Sequence, residues 1–206
     1  INNLKRTKID SNRDSIEGAQ GNIYAKRAWE EYHYYIDYSK NKIIKDFNYG
    51  LFLDIHGHGA NPDGFYDLRT WLGYLLDKDE LQLSNQELDK ESYQLKSSIN
   101  TLSFISNESF IEVLRGRNSL GSILDSLGYN SVPSLNYPST NGKFYFSGGY
   151  NTKIHGSAIN GSPISSIQIE LPKPGIRENS LQWKNYSKAL VTALEKYFKT
   201  HYRMEL

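Results

Sequence analysis

Apolar positions along this chain follow two periods in alternation. Between 23 and 42, Ala25, Trp29, Tyr32 and Ile36 recur at helical spacing with no Pro or Gly among them, which predicts an amphipathic helix packed against a sheet. The apolar run Leu51-Phe52-Leu53 then leads into Asp54-Ile55-His56-Gly57-His58-Gly59, and the period drops to that of a strand. The stretch 164–171 alternates Ile with Ser, Gln and Glu and stops at Pro172, which cannot donate to a ladder, so it predicts a second strand. Residues 73–76 are short and apolar enough for a third. Helical spacing returns at 107–115 and 119–127, separated by the turn Arg115-Gly116-Arg117-Asn118 and closed by Gly128. It returns again over 180–201, where Tyr186, Leu190, Ala193, Leu194 and Tyr197 share a face. Two segments break the pattern. Residues 77–98 are charged and polar, a solvent-facing excursion, so 77–114 is expected to be an insertion or a pocket rim. Residues 132–150 are rich in Pro, Asn, Gly and aromatics, which favours loops and short strands. Helices alternating with strands over 206 residues predict one α/β domain, with a mixed, mostly parallel sheet flanked by helices.

Three places along this pattern carry chemistry. In an extended chain Asp54, His56 and His58 point to one face, at the end of a strand where the glycines leave room for a ligand. The alternative is a glycine-rich turn with two surface histidines. On the second strand Gln168 and Glu170 share a face opposite Ile167, Ile169 and Leu171. A carboxylate there costs free energy in a core strand unless a cation or a donor meets it, whereas on an edge strand it is simply wet. Near the start, Asn12 and Arg13 stand together in a polar loop, and an amide beside a guanidinium is a natural fork for a carboxylate. Tyr137, Tyr145 and Tyr150 could stack on a ligand in the 132–150 loop, but with 16 Tyr in the chain any one of them can equally serve packing. His33, beside the apolar stripe of the first helix, reads as a helix-surface histidine.

Composition narrows the classes further. With 24 basic against 23 acidic residues the net charge is +1, so no global field favours nucleic acid or an anionic membrane. The absence of Cys removes disulfides, thiolate metal sites and a cysteine nucleophile together. No apolar run approaches the roughly 20 residues that cross a bilayer. Asn107, Asn160 and Asn185 open glycosylation sequons that a chain rich in Asn and Ser also matches by chance, so the compartment stays open, as does the oligomeric state.

Taken in order and at these separations, the motifs resemble a known series. Asp10-Ser11-Asn12-Arg13, Asp54-Ile55-His56, Gly148-Gly149-Tyr150-Asn151-Thr152 with His155-Gly156-Ser157, and Gln168-Ile169-Glu170 look like those of the N-formylglutamate amidohydrolases, a family similar in fold to the zinc carboxypeptidases. The resemblance runs from Thr7 to Arg177, leaving out 76–114. It implies a zinc carboxypeptidase or phosphorylase/hydrolase-like fold and one zinc ion with His56 as a ligand. It further implies Glu170 as general base, Asn12 and Arg13 on a substrate carboxylate, and Tyr150 or His155 beside the cleft as an oxyanion donor. The family also draws a histidine and a carboxylate from ahead of the Asn-Arg motif, whereas here the first histidine is His33. Further zinc ligands are therefore expected upstream of Ile1, with Asp54, His58 and His155 as possible substitutes. The activity implied is zinc-dependent hydrolysis of an amide bond in an N-acyl amino acid or a peptide with a free carboxylate. A non-catalytic carboxylate-binding module with an incomplete metal site and a zinc carboxypeptidase acting on peptides are the alternatives.

Overall fold

A computed structural model describes residues 5–62, 64–158 and 161–206, so the Asn160 sequon and Ile1 lie outside the described residues. The chain opens with a single turn, α1 (Ser15–Ala19), capped by the Asp14 carboxylate, which accepts from the Ile16 and Glu17 N–H groups. Asn22 caps the long helix α2 (Ile23–Phe47) in the same way. That helix runs five residues past the predicted 23–42 and ends at Asn48, whose φ of 68° turns the chain back. The first strand, β1 (Gly50–His58), follows at once. A Cβ on Gly50 would stand 2.6 Å from the Ile43 side chain, so only glycine lets helix and strand meet this closely.

β2 (Thr70–Gly73) lies ahead of the 73–76 stretch read as a strand and shares only Gly73 with it; beyond, the chain turns at Leu75, whose φ is 64°. Five short helices follow: α3 (Asn85–Leu88), α4 (Glu91–Lys96), α5 (Asn100–Ile105), α6 (Phe110–Arg115) and α7 (Leu120–Ser126). Beyond them lie β3 (Ser131–Val132), α8 (Tyr150–His155), β4 (Ile164–Pro172) and the kinked turn α9 (Lys173–Ile176). The last long helix, α10 (Ser180–Tyr197), runs into a π-turn at Phe198–Tyr202. Among the described residues no helix is long and apolar enough to cross a membrane.

The four strands form one sheet in the order β1-β4-β2-β3. β1 pairs parallel with β4 and β2 parallel with β3, while β2 and β4 run antiparallel, which makes the sheet mixed. β4 is therefore an interior strand, and all of its residues but Leu171 are buried. The wet-edge alternative for Gln168 and Glu170 falls with that observation. The core gathers Leu72, Val132, Ile167 and Ile169 from the sheet, Ala193 and Tyr197 from α10, and Leu81, Leu88, Ile99, Leu102 and Leu114 from the 77–114 segment. That segment is consequently no solvent-facing excursion: its charges face out while its leucines close one side of the sheet. Arg115, 5 % exposed, fastens it by donating to Leu81 O, Leu83 O, Asn85 Oδ1 and Pro138 O.

Candidate active site

The register of the sheet assembles the site. Parallel pairing sets His56 beside Glu170 and Asp54 beside Gln168, and the antiparallel partner sets Trp71 on the other side of Glu170. Paired positions share a face, so His56, Glu170 and Trp71 form a row across three strands, one level above Asp54, Gln168 and Gly73. Both parallel strands present this row at their C-terminal ends, where open α/β sheets hold ligands.

Glu170 is 4 % exposed. Its Oε1 accepts from Gln168 Nε2 at 2.9 Å, and its Oε2 has no hydrogen-bond partner. Gln168 can present only its nitrogen to Glu170, because its Oε1 is taken by the Gly149 N–H at 2.7 Å and by the Thr152 hydroxyl at 3.5 Å. Burial pushes the Glu170 carboxyl above the usual carboxylate range, while His56 and the Gln168 donor pull it back. The His56 Nε2 stands 2.9 Å from Asp54 Oδ2, and that carboxylate raises the imidazole above its ordinary value against the cost of burial, with Glu170 adding to it. Apart from this ion-pair contact Asp54 Oδ2 is buried with no partner. Two carboxylates and one imidazole thus share a confined space with two buried oxygens unmet.

The loops complete this wall. Asn12 Nδ2 lies 3.4 Å from His56 Nε2, and Asn12 Oδ1 accepts the Asn151 N–H at 2.8 Å. Asn151 in turn donates to Tyr32 Oη at 3.3 Å and Asp54 Oδ1 at 3.5 Å. Burial, then the Asp54 charge, raises the Tyr32 hydroxyl. A Cβ on Gly149 would come within 2.5 Å of Asn12 Nδ2, so this contact requires glycine. Arg13 follows Asn12, but its side chain is 59 % exposed and stands 3.9 Å from Asp10 and 3.8 Å from Glu17. Tyr150, at the start of α8, lies with its ring 6.0 Å from Trp29 and 5.8 Å from His33, and burial raises its hydroxyl.

The two other expected histidines point elsewhere. His58 stacks flat on Trp71, with ring centroids 3.8 Å apart, and turns Nε2 and Nδ1 to the carbonyls of Arg69 and Gly59 at 3.1 and 3.4 Å. A neutral ring donates to one of these carbonyls, and together with the stack on Trp71 that contact holds the strand end in place. His155 is 1 % exposed and pairs through Nε2 with His33 Nδ1 at 2.8 Å, its Nδ1 lying 3.3 Å from Asp37 Oδ1. His33, 6 % exposed, is therefore no surface histidine: it links α2 to α8 and reaches Ser11 O at 3.2 Å. Tyr32 and Trp71 belong to the site although sequence reasoning assigned them only to packing or passed over them. Nothing in their spacing sets them apart from the chain's other aromatics.

Among the described residues no group of three or more His, Cys, Asp or Glu side chains is placed to hold a metal ion. His56 and the unmet Asp54 Oδ2 are a suitable nitrogen-oxygen pair for zinc, so what the described residues offer is part of a coordination sphere. No protein-family model, curated protein or solved structure matches the chain.

Proposed function

We propose that the chain hydrolyses an amide bond in an N-acyl amino acid or short peptide with a free carboxylate, in the manner of the N-formylglutamate amidohydrolases, with Glu170 as its base. The observation carrying this reading is the unmet Oε2 of Glu170, buried beside an imidazole and oriented by an amide that can face only one way. A carboxyl so placed holds a proton more readily than a solvated one, which suits both halves of the reaction: taking a proton from the attacking water and passing it to the leaving amine. His56, with Asp54 beside it, is where a zinc ion would be held, and such an ion would polarise a carbonyl and acidify a bound water. Asn12 offers its amide at the same edge, and Arg13 is close enough in sequence to reach a substrate carboxylate there. Its guanidinium is exposed and its contacts with Asp10 and Glu17 are long, at 3.9 and 3.8 Å, so exchanging them costs roughly 1 kcal/mol or less. Tyr150 is the candidate donor to the developing oxyanion, because His155 is already committed to His33.

The second reading is a carboxylate-binding module without turnover, favoured by the partial donor set among the described residues. The two separate on one experiment with the purified protein, combining metal analysis, hydrolysis of formyl-glutamate and dipeptides, and calorimetric binding. The hydrolase reading expects zinc at a stoichiometric level and measurable turnover. Glu170→Gln should then retain zinc and ligand binding while turnover falls by several orders of magnitude. Binding of the carboxylate compounds with neither zinc nor turnover would establish the module instead.

A further inference from the structure

β1 carries the site, yet it is the outermost strand, and among the described residues its ladder partner is β4 alone. Beside its open edge runs a groove of about 570 Å³, walled by one face of α2 and floored by Leu51, Phe52 and Ile164. The helix is short of cover: of its 25 residues only Ala25 and His33 are buried, and Tyr34, Tyr35 and Tyr38 are each more than 60 % exposed. A helix of this length bearing so much aromatic surface is an interaction face.

The arrangement of the groove wall says what fits it. Its residues on α2 are symmetric about a point between Tyr35 and Ile36: Ala28 and Ile43 lie at equal distances on either side, and so do Glu31 and Lys40. When a second α2 is laid antiparallel across that point, the small Ala28 meets the large Ile43, the Glu31 carboxylate meets the Lys40 ammonium, and Tyr35 meets Ile36. Each contact occurs twice, as a two-fold axis demands. Among the described residues Glu31 pairs with Arg27 at 3.1 Å and Lys40, its side chain 15 % exposed, with Asp37 at 3.4 Å, each one helical turn away, and the Lys40 charge also bears on His155. Such pairs are weak and can share a further partner. With a net charge of +1, self-association meets no general repulsion. We propose that this face binds a second copy of the same chain, giving a dimer in which the two α2 helices pack antiparallel over the open edges of β1.

The test is the mass in solution with designed charge reversals. Sedimentation equilibrium should give twice the chain's 23.6 kDa. Glu31→Lys sets two like-charged pairs across the axis and should raise the dissociation constant roughly tenfold or more, as should Lys40→Glu. The double variant restores both pairs and should restore the dimer, which a merely structural role for either residue would not produce. Because the chain has no cysteine, Tyr35→Cys provides a second measurement. Near the axis it should crosslink to itself on mild oxidation, whereas Ile23→Cys at the helix start should not. A chain that stays monomeric at every concentration and fails to crosslink through position 35 overturns the proposal. So does a dimer indifferent to both charge reversals, which would place the interface elsewhere.

Discussion

Mild acid should weaken this protein through the His33–His155 pair. Ser11 O only accepts, so His33 Nε2 carries the proton of a neutral ring, and His33 Nδ1 must accept from His155 Nε2. His155 Nδ1 is then a buried acceptor, with Asp37 Oδ1 at 3.3 Å. Burial, with the nearby Lys40 charge and His33, pushes the His155 imidazole down from 6.5 to about 4, against the Asp37 carboxylate, which pulls it up. A depressed histidine means that the unfolded chain binds the extra proton first, so stability is whole above pH 6.5 and is lost as pH falls from there toward 4. Over the step from pH 7 to pH 5 this one ring accounts for about 2 kcal/mol, within the usual 1.36 kcal/mol per pH unit for one proton. Urea midpoints at the two pH values measure it. His155→Gln keeps a donor toward His33 and cannot titrate, so the variant should lose about 2 kcal/mol less than the wild type over the same step. Equal losses in the two proteins would refute the reasoning and leave the acid sensitivity to His33, His58 and His201, all likewise depressed by burial.

Three further outcomes are expected. Gly149→Ala should displace Asn12, because the new Cβ would fall 2.5 Å from its amide, and should cost about 1–3 kcal/mol by denaturation together with most of any turnover. Arg115→Met should cost about 3 kcal/mol or more, since the Leu81 and Leu83 carbonyls lose their donors inside the core; protection of α3 amides from hydrogen exchange should fall with it. Arg13→Lys should leave stability within about 0.5 kcal/mol, as befits an exposed side chain, yet lower kcat/KM for a carboxylate-bearing substrate by roughly 2–3 kcal/mol, because a lysine lacks the planar fork. Unchanged kinetics would make Arg13 a surface charge.

The elements whose residues alternate or recur strictly were legible in the chain. The 164–171 alternation is β4, whose apolar side chains meet the core on one face and whose polar ones meet a buried network on the other, and the stripe through Ala25, Trp29 and Tyr32 is α2. Which strand lay inside was not legible. A polar face reads alike on a wet edge and over a buried network, and only the pairing of β4 with both β1 and β2 decides it. The 77–114 segment misled because its charges dominate the composition while a few scattered apolar residues, Leu81, Leu88, Ile99, Leu102 and Leu114 among them, do the packing. His58 shared the alternation of Asp54 and His56, yet its role depends on Trp71, a residue that sequence spacing could not tie to it.

The contacts that close the site also set when it can form. Asn12 meets Asn151 across 139 residues, and His33 meets His155 across 122. Loop closure of that length must be met before these contacts return any free energy, and a parallel β1–β4 ladder imposes the same delay. On the ribosome, α2 and β1 emerge long before their partners and wait with an uncovered strand edge, a condition that favours misassociation. The Asn12–His56 side of the site therefore matures in the last steps of folding, once β4 has threaded between β1 and β2.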